Sequence, residues 1–152
     1  MASKRKNPSV ILLVEDNRAD QELIRRAVEK VTFCKELRIV EDGEEALDYL
    51  FRRGKYQTPA ASPKPDLLLL DLNLPRVNGY QVLEEIRADS KLRLMPVVVL
   101  TTSRQEKDII RSYELGCNSF ITKPAGLDQL IGLVRAMEEY WFKIAVLPPK
   151  TE

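Results

Sequence analysis

Histidine is missing from all 152 residues of this sequence. Its absence removes the commonest base near neutral pH, the commonest transition-metal ligand and the phosphohistidine donor together. Neither a Ser-His-Asp hydrolase nor a histidine kinase core acting alone fits the chain. Cysteine is scarce: Cys34 and Cys117 stand in unrelated contexts and form neither a C-x-x-C redox pair nor half a zinc site, which points to a reducing compartment. No apolar run approaches the roughly 18 residues of a membrane span, and the apolar stretch after MASKRKNPS is too short for a signal peptide. A cytoplasmic protein with no membrane partner is expected. Charge of one sign is also lacking, since Lys and Arg number 24 against 23 Asp and Glu, a balance with no overall affinity for nucleic acid.

What the chain does contain is enough apolar sequence, 44% of residues, to bury one core without disulfides or a structural metal. Short apolar runs alternate with longer amphipathic segments five times, the pattern of an α/β fold with a doubly wound, five-stranded parallel sheet and helices on both faces. The runs predict strands at 10–14 (VILLV), 37–41 (LRIVE), 66–70 (DLLLL), 96–100 (PVVVL) and 119–122 (SFIT). Helices are expected near 17–31, 44–52, 79–88, 104–114 and 127–143. Asn17 and Asn78 read as N-caps, Ser103 with Glu106 as a capping box, Gly116 as a helix stop and Gly126 as the start of the last helix. Residues 1–8, with Lys4, Arg5 and Lys6, are read as a solvated disordered tail, 9–143 as the domain, and 144–152 as an apolar C-terminal tail. The stretch 52–65, RRGKYQTPAASPKP, is longer than most connections in compact domains and reads either as a partner surface or as a tolerated insertion.

In an open parallel α/β sheet, ligands bind outside the carboxyl ends of the strands. Those ends carry Glu15 and Asp16 after the first strand, Asp71 after the third, Thr101 and Thr102 after the fourth, and Lys123 with Pro124 after the fifth. Each has an ordinary explanation as a cap or turn residue, but together they place three carboxylates, a hydroxyl and an ammonium on one edge. Clustered carboxylates repel one another unless a cation joins them, and hard oxygen ligands suit Mg²⁺. Mg²⁺ in such sites is typically shared with phosphate oxygens. Lys123 would then pair with one phosphoryl oxygen and Thr101 would hydrogen-bond another. Asp71, at the end of the run LLLL, is the candidate nucleophile, able to form an aspartyl phosphate.

The stretches ILLVEDN, DLLLLDLNLPRVNGY, PVVVLTTS and SFITKP, in this order and spacing, resemble the CheY-like receiver domains of two-component response regulators across about residues 9–143. The resemblance implies a flavodoxin-like sheet of strand order 2-1-3-4-5, with Asp71 as the phospho-acceptor and Mg²⁺ held by Glu15, Asp16, Asp71 and the backbone carbonyl of Asn73. It implies further that Thr101 moves onto the phosphoryl group, that Phe120 takes the aromatic switch position where many members carry tyrosine, that Lys123 pairs with the phosphoryl group, and that the Lys123–Pro124 bond is cis. The donor would be a sensor histidine kinase.

The long loop and the tail motif YWFKIAVLP also resemble the small regulators that accompany cyanobacterial and bacterial phytochromes. That narrower likeness implies a light-regulated kinase and a homodimer formed through the fourth helix, fifth strand and fifth helix. Tyr140, Trp141 and Phe142 are consecutive and cannot all face one sheet, so the strip running on to Leu147 packs either on its own domain or on a second subunit, and a homodimer is expected.

Three other readings remain. A phosphatase of the haloacid dehalogenase class would need an acid two residues after the nucleophile, where this chain has Asn73. A flavodoxin-like flavin binder would need a phosphate-binding loop rich in Ser, Thr and Gly, where this chain has the acidic EDNRAD. A pseudo-receiver would dimerise without ever being phosphorylated.

Overall fold

The computed structural model describes residues 9–31 and 35–149; the N-terminal tail 1–8 and Cys34 lie outside them. Five parallel strands, β1 (Ser9–Val14), β2 (Lys35–Val40), β3 (Leu67–Leu70), β4 (Val97–Thr101) and β5 (Ser119–Thr122), form one sheet in the order β2-β1-β3-β4-β5. The helices are α1 (Arg18–Lys30), α2 (Gly43–Leu50), α3 (Gly79–Ala88), α4 (Glu106–Glu114) and α5 (Leu127–Glu138). The expected fold class and strand order are therefore those observed.

Leu67 to Leu70 are all 1% exposed or less, which explains why this strand has no alternation of polar and apolar residues. Its even members, Leu68 and Leu70, join Val82, Leu83 and Ile86 of α3 in one core layer, and its odd members, Leu67 and Leu69, join Ile24 of α1 and Val134 of α5 in the other. Burying each such leucine contributes about 2 kcal/mol, so this strand is a rigid post between two helical layers.

The starts of α1, α2 and α3 are each capped by a local side chain, and those of α4 and α5 are not. The Asn17 side chain accepts from the Asp20 N–H, and Asn78 forms a reciprocal capping box with Gln81. Gly116, at φ +101°, lies just past the end of α4, a left-handed conformation that glycine adopts at little cost. The expected Ser103–Glu106 capping box does not form. The N-cap of α4 is Gln105, with no side-chain cap, because the Ser103 hydroxyl is drawn instead to Asp108, 2.5 Å away. Gly126 does precede α5, also without a side-chain cap.

The last helix is shorter than its pattern suggests. It passes at Glu138 into a wider π-type turn, Glu139–Ile144. Trp141 and Phe142 pack partly against the α1–α5 core layer, while Tyr140, Ile144 and Val146 are exposed. Leu147 and Pro148 line a cavity of about 170 Å³ with Pro65, Leu92, Met95 and Pro96, at the edge of the sheet opposite the strand carboxyl ends. The tail thus folds back in part on its own domain.

The long connection between α2 and β3 is fastened at several points. The Tyr49 hydroxyl donates to the Pro63 carbonyl at 2.6 Å, the Tyr56 hydroxyl to Glu45 at 2.6 Å, and the Ser62 hydroxyl to the Tyr56 carbonyl at 2.8 Å. A single 3₁₀ turn, Gly54–Tyr56, brings the Tyr56 ring 5.1 Å from that of Tyr49.

Candidate functional site

Because the strands are parallel, all five carboxyl ends share one rim, and the turns that follow carry the polar residues. Glu15 follows β1 directly; its backbone N–H donates to Val40 of β2, and its carbonyl accepts from the Gln21 side chain at 2.6 Å. Asp71 follows β3, its N–H bonded to Val14 of β1 and its carboxylate accepting from the N–H of Leu72 at 2.8 Å. Thr101 ends β4 and is fully buried; its hydroxyl is 3.4 Å from the N–H of Ser103. Lys123 follows β5, and its N–H donates to the Thr101 carbonyl.

Carboxylate oxygens of Glu15, Asp16 and Asp71 lie within 4.8 Å of one another. Glu15 and Asp71 are buried and Asp16 is exposed, so the cluster opens to solvent on one side. Two inward acids and one at the mouth, all oxygen donors, suit a hard divalent cation that keeps part of its water. Asn73 follows on the exposed turn after Asp71.

The ammonium of Lys123 reaches into this cluster. It is paired with Glu15 and lies 3.0 Å from Asp20 and 3.4 Å from Asp71. Burial opposes its charge, but the pairing with Glu15 and the fields of Asp71 and Glu15 outweigh burial and hold the ammonium above its ordinary 10.5. For Glu15 the balance is reversed. Burial pushes its carboxyl up, and the Lys123 ammonium and the Asn17 N–H draw it down by less.

Asp20 was not singled out from the sequence, although it stands in the acidic stretch EDNRAD. Its position three residues after the Asn17 N-cap puts its side chain in the first turn of α1, next to the rim. The Lys123–Pro124 peptide, expected to be cis, is trans, as no described bond is cis. An X-Pro amide favours trans by about 0.5–1 kcal/mol, and with the trans bond Lys123 still reaches the acids while its N–H continues the ladder to β4. Phe120 is half-buried and rests on the α3-side core layer, with its N–H donating to the Tyr113 hydroxyl at 3.1 Å.

Beside the rim, one carboxylate joins three elements. Asp108 of α4 accepts from Ser103 in the β4–α4 turn and from the Tyr80 hydroxyl of α3 at 2.6 Å, and Arg111 stacks over the Tyr80 ring at 4.3 Å. The Ser103 and Tyr80 hydroxyls hold Asp108 below its ordinary 3.8. A carboxylate lowered on folding stabilises the native state above its unfolded value and loses that contribution as pH falls through its folded value. Asp108→Asn should therefore lower the urea midpoint at neutral pH by the equivalent of about 1 kcal/mol. The gap to the unmodified protein should narrow in titrations taken below pH 3.8.

Gly79, at the start of α3, backs directly onto the end of β3. A Cβ there would lie 2.3 Å from the Asp71 carbonyl oxygen and 2.7 Å from the Leu72 Cα. The Gly79 N–H also donates to the Leu72 carbonyl at 3.0 Å.

Residues 11–135 match the family model for the response regulator receiver domain. The chain is 43% identical to the response regulator Rcp1 of Synechocystis sp. over 148 residues, which span 97% of this chain and 99% of that protein. The crystal structure of the phosphorylated cyanobacterial phytochrome response regulator RcpA is similar at 48% identity and a TM-score of 0.86, over 93% of this chain and 99% of that one. The Mn²⁺-bound form of Rcp1 is similar at 44% identity and a TM-score of 0.84, over 93% of this chain and all of that one. With its 2-1-3-4-5 parallel sheet and the acidic cluster on the rim, this chain belongs to the response regulator receiver family and is related to the phytochrome response regulators.

Proposed function

We propose that this chain is a phospho-accepting signalling protein, not an enzyme with an external substrate, and that Asp71 takes its phosphoryl group from the phosphohistidine of a sensor histidine kinase of the phytochrome type. A carboxylate oxygen of Asp71 attacks phosphorus, the bond from phosphorus to imidazole nitrogen breaks, and the imidazole leaves with its electron pair. Water later attacks the same phosphorus and the Asp71 carboxylate is released. The observation that carries this reading is a buried carboxylate at the end of the central strand, sharing one ammonium with Glu15. The phosphorylated state of the related RcpA supports it.

Glu15, Asp16, Asp71 and the Asn73 carbonyl would hold Mg²⁺, which supplies neutralising charge for phosphoryl oxygens. Lys123 supplies the second positive charge, already held in the protonated form beside Asp71. Thr101 offers a hydroxyl to the phosphoryl group from the next strand, and Phe120 repacks as Thr101 moves. The added group brings roughly 1.5 to 2 negative charges, enough to bias the surface of α4, β5 and α5.

That surface leaves Ile110 and Tyr113 of α4 more than half or half exposed, and the nearby tail adds Tyr140. A homodimer through α4, β5, α5 and the tail would cover them, in a cytoplasmic setting. No helix among the described residues is long and apolar enough to cross a membrane.

Intact-mass measurement after incubation with acetyl phosphate tests the assignment. A gain of one phosphoryl group is expected with Mg²⁺, and none in EDTA or in Asp71→Asn. No gain under any condition would overturn the assignment and favour a pseudo-receiver whose function is its dimer surface. Steady turnover of a phosphate ester would revive the phosphatase, against which Asn73 stands where a general acid is needed.

A further inference from the structure

The Lys123 ammonium has one partner that the phosphoryl chemistry does not use. Glu15 and Asp71 belong to the set proposed to hold the metal and accept the phosphoryl group. Asp20 does not: it approaches from α1, its carboxylate 3.0 Å from Lys123 Nζ, nearer than the 3.4 Å of Asp71, and its side chain is one-third exposed. When a divalent cation draws on the charge of Glu15 and Asp71, Asp20 is the carboxylate left to compete for the ammonium.

We propose that Asp20 is a positioning residue that holds the Lys123 ammonium back from the acceptor, and so slows both the gain and the loss of the phosphoryl group at Asp71. This rests on the phosphorylation reading above. Both reactions develop charge on the same phosphoryl oxygens, and a lysine aimed at those oxygens lowers both barriers. A lysine shared with Asp20 must first loosen that pair. The interaction is part-exposed, so its release should change each rate modestly, about two- to fivefold.

Asp20 also sits in the first turn of α1, where a negative charge favours the helix N-terminus. A purely structural role there would change thermal stability and leave the chemical step alone. A role in repelling an anionic donor would change the apparent KM for that donor and leave the maximal rate alone. The three roles separate in one experiment.

Phosphorylation by acetyl phosphate in saturating Mg²⁺ would be followed by intact mass across donor concentrations for the unmodified protein, Asp20→Asn and Asp20→Glu. Dephosphorylation would be followed after donor removal. The expected result is a maximal phosphorylation rate and a hydrolysis rate each raised about two- to fivefold in Asp20→Asn. Asp20→Glu, which keeps the charge within reach of Lys123, should return both toward the original values. An unchanged maximal rate in Asp20→Asn, with only KM or the melting temperature altered, would overturn the proposal while leaving Asp71 as acceptor. If the unmodified protein gains no phosphoryl group, the underlying reading fails and the role of Asp20 fails with it.

Discussion

Gly79→Ala should lower the melting temperature by about 10 °C and, in the molecules that still fold, cripple phosphoryl uptake at Asp71. The added Cβ would meet backbone atoms of Asp71 and Leu72 at 2.3 and 2.7 Å, and no rotamer change can relieve a clash with main chain. Either α3 is pushed off the sheet or the turn after β3 is pushed outward. Overpacking against side chains costs typically 1–3 kcal/mol; against a backbone held between two core layers, about 3 kcal/mol is the expected minimum, and a chain of this size loses about 3 °C per kcal/mol. The same displacement moves the Asp71 carbonyl and with it the carboxylate. A drop of a hundredfold or more in the acetyl phosphate reaction, set against the retained folded signal in circular dichroism, is the expected outcome, since a misplacement of about 1 Å can cost that much. Retained stability and rate would mean that α3 can slide without disturbing the rim.

Lys123→Met should have the next largest effect, and its stability part should depend on divalent cations. Removing the ammonium leaves Glu15 and Asp71, with side chains 1% and 9% exposed, facing each other without a positive neighbour. Breaking a buried pair by deleting one partner costs about 3–5 kcal/mol, and the opening of the cluster to solvent at Asp16 puts this case at the low end. A loss of about 3 kcal/mol in EDTA is expected from urea unfolding, recovered in large part when Mg²⁺ is added. Phosphoryl uptake should remain about a hundredfold below normal even in saturating Mg²⁺, the scale on which losing one preorganised partner of the transition-state charge is felt. Mg²⁺ rescue of both stability and rate would show that the lysine acts only as a counter-charge.

The parts of the molecule that could be read from sequence are those whose cause is local. Leu67 to Leu70 run without a polar interruption because both faces of β3 are covered, and the chain shows it directly. Asn78 with Gln81 and Gly116 mark their helix ends by their own side chain or lack of one. The acid pair, Asp71, Thr101 and Lys123 could be placed on one rim because parallel strands put every carboxyl end there. What escaped had a distant cause. Ser103 and Glu106 have the spacing of a capping box, yet the serine hydroxyl goes to Asp108, itself held by Tyr80 from another helix. Asp20 looks like an ordinary first-turn acid until β5 brings Lys123 to it across more than a hundred residues of chain. The isomer at Pro124 is a small energy difference decided by surroundings, which the local sequence does not carry.

Helix α4 begins without a side-chain cap of its own. Its first turn is moored sideways instead, through Asp108, by one line to the β4–α4 turn and another to α3. A helix moored in this way can swing as a unit, because its internal hydrogen bonds do not depend on the residues that hold it in place. Ser103 is two residues past Thr101 and shares its N–H with that hydroxyl, so an inward pull on Thr101 tugs on one mooring line and leaves the other fast. The pivot of any such swing is then Tyr80, which stays bonded to Asp108 in the first turn, and the end of α4 that travels most is the one far from the rim.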